Sequence, residues 1–279
     1  MTPDLRASYS ACRRLHRRHD PTFYFATRRL PAEVRPAVHA LYAFVRSADE
    51  LVDGPARPAE PAARRAALDG LEASLHDGMV GRRTSSFAVT ALADAGRRHR
   101  LPLGELETYM RSMRTDCERV RFSSASELVD YMDGSAAAVG RIMAPLLGAP
   151  APAAESFARL GQAFQLTNFI RDVRQDFALD RIYLPGLEED AVAQRRATAA
   201  FRRALAEQVE RARELFRHGA PAQTAVHPRV RPGMRMAQAV YLAVLDRVEA
   251  LDYDVLGASA ALRSWEATGA ALGALRNHE

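Results

Sequence analysis

The chain has 279 residues, 48% of them hydrophobic and 7% aromatic, an ordinary globular composition long enough for one or two domains. Its formal net charge is +5, and the basic side is arginine alone, since no lysine occurs; every such cation can make forked contacts to phosphate or carboxylate. No apolar run approaches the length of a membrane span, and no basic stripe interleaved with aromatics marks a nucleic-acid binder.

Apolar residues recur with helical periodicity almost throughout, without alternating strand patterns. The spacing predicts helices over about 4–18, 32–53, 59–76, 85–99, 103–118, 125–147, 153–178, 188–217, 232–255 and 259–275. Within the first, the run CRRLHRRHD reads as a solvated helix face. The Arg-rich start leads straight into the following segments, so a cleaved leader is not expected and the chain is expected to be cytoplasmic. Cys12 and Cys117 form neither a disulfide framework nor a metal spacing. His16, His19, His39, His99 and His218 show no zinc spacing and read as surface or local hydrogen-bonding residues, with His19 set apart. SASE at 124–127 is a capping box before an apolar run. Proline and glycine gather in short connections such as DGPARP, LGAPAP and HPRVRPG, none long enough for a domain linker. One all-α domain over 1–279 is the expectation.

Two stretches carry chemistry. In LGQAFQLTNFIRDVRQDFALDRIYLP, Gln165, Asn168, Asp172 and Asp176 recur at i, i+3, i+7 and i+11, which places them on one helix face. Leu166, Phe169, Ile170 and Val173 lie on other sides. In ALYAFVRSADELVDG, Asp49 and Asp53 repeat the i, i+4 acidic pair, with Arg46 one turn before Asp49. Like charges at that spacing repel, and burial sharpens the repulsion, so a cation must compensate. Arg171 and Arg174 point away from the acidic stripe by part of a turn, which leaves a bound metal as the candidate. One D-x-x-x-D on a helix is commonly a solvated face; two, both embedded in apolar helices, point to a site. Facing acidic pairs suit Mg²⁺, a hard cation that takes oxygen ligands, keeps waters and bridges to substrate phosphates. Nucleotide-loop and nucleophile-elbow motifs do not occur.

In that order FYFATRRLP, VHALYAFVRSADELVD, YMDGSAAAVG, LGQAFQLTNFIRDVRQDFALDRIYLP and YLAVLDRVEALDYDVL span about residues 16 to 256. They resemble the squalene/phytoene synthases, head-to-head prenyl synthases of the class I isoprenoid fold, in the style of actinobacterial phytoene synthases. The resemblance implies a helical bundle around a central cavity and a Mg²⁺-dependent prenyltransferase acting on an allylic prenyl diphosphate. It implies that Asp49, Asp53, Asp172 and Asp176 bind Mg²⁺, with Asn168 beside them, and that His19, Arg46 and Arg171 stand near diphosphate. It also places Tyr42, Tyr131 and Gln165 near the reacting carbons, and Phe23, Ala136, Val139, Gly140 and Phe164 along the prenyl tail.

Three departures bear on the acceptor. Ala258 stands where the family has a diphosphate-binding arginine, with Arg263 the one substitute nearby. The segment after RIYLP is shorter than usual, and Asp133 and Ala137 replace the Tyr and Gly of squalene-type members. The favoured acceptor is a second allylic diphosphate. The alternative is an aromatic carbon, such as a carbazole, prenylated with a single diphosphate in bacterial secondary metabolism; a catalytically degenerate helical scaffold is a third reading. No nucleic acid is expected, and membrane contact is expected to be peripheral at most.

Overall fold

The computed structural model describes residues 3–20, 23–24, 27–28 and 30–276, so part of the FYFATRRLP stretch lies outside the described residues. The architecture is all-α. Its helices are α1 (Pro3–His19), α2 (Arg35–Val52), α3 (Pro61–Met79), α4 (Phe87–His99), α5 (Glu105–Thr115), α6 (Ala125–Met132) and α7 (Ala138–Leu146). They continue with α8 (Ala154–Arg171), α9 (Val173–Ala178), α10 (Glu189–Ala193), α11 (Ala199–Gly219), α12 (Pro221–Ala225), α13 (Arg231–Ala250) and α14 (Ser264–Arg276). A π-helical turn, Asp133–Ala137, joins α6 to α7.

Helix starts follow local chemistry. The capping box is present: the Ser124 hydroxyl accepts from Glu127 N–H and the Glu127 carboxylate takes Ser124 N–H. Four predicted helices are interrupted or shortened. The 125–147 helix carries the π turn at its middle, and the 153–178 helix breaks at Asp172, which leaves helical geometry at φ −103°, ψ 16°. The 188–217 helix stops at Ala193; Arg195 turns left-handed (φ 52°) and Thr198 caps a new helix by accepting from Phe201 N–H. The last turn of the 232–255 helix is replaced by two left-handed residues, Asp252 and Tyr253.

Helix α8 is the hub. It packs against α11, α7, the π turn, α6 and α13. Close approach to α7 needs glycine: a Cβ on Gly140 would stand 2.4 Å from the Phe157 carbonyl oxygen, and one on Gly161 2.7 Å from that of Ala136. On the other side α1, α2 and α4 pack together, and one apolar core runs from Cys12 through Phe44, Leu92, Leu128, Leu166 and Phe201 to Ala260.

One pairing escaped helical periodicity. Strand β1 (Val120–Arg121) lies parallel to β2 (Arg181–Ile182), with Val120 opposite Arg181. Two residues per strand are too few to alternate visibly, yet the pairing fixes RIYLP against the segment that follows α5.

Candidate active site

Tyr42, Arg46 and Asp49 of α2 share one face with Asp53 at its C-cap, while Ala37, Leu41, Phe44 and Ala48 bury the opposite side. The Tyr109 hydroxyl, from α5, lies 3.1 Å from both Asp49 Oδ1 and the Val45 carbonyl. Burial pushes Asp49 up to about 7, and repulsion from Asp53 and Asp116 adds to it against the Tyr109 hydrogen bond. Arg46 is bound by Glu50, one turn on, rather than by Asp49.

Asp53 meets a cation the sequence reading missed. Arg181 Nη2 lies 2.6 Å from Asp53 Oδ1 and donates to the Asp116 carbonyl at 2.7 Å; the Arg181 residue is only 2% exposed. Asp116, 5% exposed, accepts the Tyr131 hydroxyl at 2.5 Å and the Tyr183 hydroxyl at 2.7 Å. Burial raises Asp116 to about 6, against the pull of Arg181 and the two hydroxyls. Tyr131, Tyr183, Phe122 and Phe169 form an aromatic cluster around this carboxylate, with Phe169 stacked on Tyr183 at 4.2 Å.

Across the bundle, the break at the end of α8 lets Arg171 fold onto Asp172. The contact is forked, Nε to Oδ1 at 2.7 Å and Nη2 to Oδ2 at 2.5 Å. This corrects the expectation that Arg171 points away from the acidic stripe, which assumed an unbroken helix. Burial first, then Asp172, push Asp176 up to about 8, and Arg181 opposes the rise. Arg181 thus acts on both acidic pairs, and Asp53 and Asp116 add to the rise at Asp176.

Phe164 is edge-on to Phe216 at 5.6 Å and 4.4 Å from the ring of Tyr241, whose hydroxyl faces Asn168 and Arg171. Gln165, Asn168 and Val139 are half-buried, and Ala136 is buried in the π turn. Gly140 is a helix-contact position against Phe157. His19 is exposed at the end of α1, and Phe23 stands partly exposed, 6.3 Å from the Tyr42 ring. The Arg263 guanidinium binds Glu266 and covers Trp265. Tyr109, Asp116, Arg181, Tyr183 and Tyr241 were all missed, although Arg181, Tyr183 and Tyr241 sit inside quoted motifs.

Among the described residues no three Asp, Glu, His or Cys side chains gather into a ready-made metal cage. The donor chemistry still fits Mg²⁺, which takes one or two carboxylates and completes its shell with water and phosphate. The raised Asp49 and Asp176 carboxyls are the groups a divalent cation would hold in charged form. An open groove of about 550 Å³, lined by Arg174, Phe177, Val192 and Arg195, includes none of the four aspartates in its wall. Among the described residues no helix is long and apolar enough to cross a membrane.

Comparison with known proteins gives a consistent picture. A family profile described as squalene/phytoene synthase matches residues 16–266. A phytoene synthase of Thermus thermophilus is 33% identical over 95% of this chain and 92% of its own. A chloroplastic phytoene synthase of Zea mays is 34% identical over 90% of this chain but only 61% of its own. Among solved structures, squalene synthase HpnC from Alicyclobacillus acidocaldarius superposes with TM-score 0.81 at 30% identity, covering 91% of this chain and 97% of that one. A dehydrosqualene synthase shares the fold at TM-score 0.81 and 21% identity, over 98% of this chain and 97% of that one.

Proposed function

Because the chain belongs to the squalene/phytoene synthase family and is a prenyltransferase, we propose that it joins two allylic prenyl diphosphates head to head with the help of Mg²⁺. The observation that carries this reading is the pair of acidic helix ends, Asp49/Asp53 and Asp172/Asp176, both under the influence of Arg181.

In this reading the four aspartates hold Mg²⁺, which when bound neutralises diphosphate and helps it depart. The protein's own groups do the rest. Arg171 exchanges its forked contact with Asp172 for phosphate oxygens, and Arg46 exchanges its single contact with Glu50. Asn168 and His19 add polar contacts to the same group. Phe23, Ala136, Val139 and Phe164 receive the tail. Tyr42 and Tyr131 face the allylic cation left after C–O cleavage, because ring faces favour cations, and Gln165 orients the acceptor double bond. The apolar walls exclude water that would trap the cation. Attack and loss of a proton give a coupled product that still carries the acceptor's diphosphate; cleavage of that second C–O bond and loss of a further proton give the hydrocarbon, with departing diphosphate or a tyrosine oxygen taking each proton.

One observation favours a second reading. Ala258 stands where the family carries a diphosphate-binding arginine, which removes one cation for a second diphosphate. A single diphosphate and an aromatic carbon acceptor need fewer cations.

The experiment is a product assay. Purified protein is incubated with Mg²⁺ and geranyl, farnesyl or geranylgeranyl diphosphate, singly, with EDTA controls. A symmetrical coupled hydrocarbon that disappears with EDTA is the expected result. Diphosphate binding without any coupled product would overturn the head-to-head reading in favour of a foreign acceptor.

A further inference from the structure

Two histidines that the sequence reading left as surface or local residues are buried together. His16 of α1 is 0% exposed and His39 of α2 is 6% exposed. Their Nδ1 atoms are 2.9 Å apart. A contact between two ring nitrogens holds one proton: one imidazole donates and the other accepts. Among the described residues His16 Nε2 is buried without a hydrogen-bond partner. Had His39 donated, His16 would carry its proton on Nε2, an N–H buried with nothing to accept it. Orphaned buried donors are rare and costly. The pair is therefore His16 Nδ1–H donating to His39 Nδ1, with the second proton on His39 Nε2.

This arrangement is uncharged. A further proton on His39 Nδ1 would set two N–H groups head to head, and one on His16 Nε2 would bury a charged N–H with nothing to accept it. Burial depresses both imidazoles, His16 further lowered by His39, and His39 by Arg13 and Arg35.

What the pair supports is Tyr42. The His16 ring lies 4.0 Å from the Tyr42 ring and within 13° of parallel. Tyr24 stacks on His39 at 5.3 Å, and the Arg13 Nε–H donates to the Tyr24 hydroxyl at 2.9 Å, which ties down the outer layer. Tyr42 itself stands on the α2 face that carries Arg46, Asp49 and Asp53, and Asp20, Arg46 and Asp49 are the charges that act on it. One face of Tyr42 is thus covered by a neutral imidazole.

We propose that the His16–His39 pair is a positioning device for the reaction: an uncharged platform that fixes the plane of Tyr42 and keeps positive charge off its rear face, leaving the front face to an allylic cation. It rests on the reading of the reaction given above. A tyrosine backed by an imidazolium would already be engaged with one cation and would stabilise a second less well.

The test is a double-mutant cycle on the full chain with Mg²⁺ and the prenyl diphosphate that it couples. His16→Leu removes the stacked ring and should lower kcat about tenfold. KM, and affinity for an unreactive thiolo-diphosphate analogue measured by calorimetry, should stay within about twofold. His16→Phe, a neutral ring, should recover most of the loss. In a Tyr42→Leu background, His16→Leu should have no further effect on kcat. An equal loss in both backgrounds, or a Phe variant no better than Leu, would overturn the proposal. The imidazole ¹⁵N spectrum of the wild-type protein gives a second measurement that needs no variant. It should show the two neutral tautomers assigned above; the reversed pair, or a doubly protonated ring at pH 7, would overturn it as well. A wild-type enzyme that couples no prenyl diphosphate would refute the reaction reading instead, and the spectrum would still decide the state of the pair.

Discussion

At the end of α2, Asp53 is bound by Arg181, a side chain only 3% exposed that arrives from β2; at the end of α8, Asp172 is bound by its own chain neighbour Arg171, 30% exposed. The two acidic pairs are the same pattern in the sequence. In each, one carboxylate has an arginine and the other, Asp49 or Asp176, is driven upward by burial and by its partner's charge. The difference lies in the origin of the cation. A neighbour in sequence supplies a partly exposed, exchangeable contact. A strand from elsewhere in the fold supplies a buried one, which also answers to Asp116. The first arrangement suits release to a ligand, and the second suits holding an acidic cluster together.

Removing a carboxylate tests whether the pairs act as one site. Asp172→Ala should lower the rate of diphosphate release roughly a thousandfold, since a metal clamp supplies several kcal/mol to the transition state; near-normal turnover would break the assignment of both pairs. The next largest effect separates the two arginines. Arg181→Met strands Asp116 beside Asp53 without a buried cation and should cost about 3 kcal/mol in urea unfolding with EDTA present. Arg171→Met removes a partly exposed contact and should cost about 1 kcal/mol or less. Equal costs would mean that burial does not distinguish the two ends.

A smaller effect is expected from pH. Asp49, Asp116 and Asp176 lie above the ordinary 3.8, near 7, 6 and 8. The native chain therefore holds protons that the unfolded chain has released, so the stability tied to these groups is fully present below about pH 4 and is lost as pH rises through 6 to 8. With EDTA, the Tm contribution from these groups should fall across that range. Mg²⁺ should raise the Tm more at pH 8 than at pH 6, because it displaces fewer protons from the carboxylates there. A Mg²⁺ effect that shrinks with rising pH would contradict the shared clamp.

Much of this site was legible without coordinates. Helical periodicity gave the fold class, and i, i+4 spacing found Asp49/Asp53 and Asp172/Asp176, because both are short-range regularities of one helix. Ser124 and Glu127 announced their cap for the same reason. What the spacing could not carry was any partner set by chain reversal. Asp116 precedes β1 and looks like one more acidic residue in RTDCE; only the β1–β2 pairing brings Arg181 and Tyr183 to it. The helix break at Asp172 was equally hidden, and with it the fold-back of Arg171. His16 and His39 carried no metal spacing, yet packing of α1 on α2 presses them together behind Tyr42. The sequence by itself determined which faces are acidic and which are greasy, since those depend on a few neighbouring residues. Tertiary structure alone decided which cation, hydroxyl or ring meets each carboxylate, because those contacts depend on how distant segments close against one another.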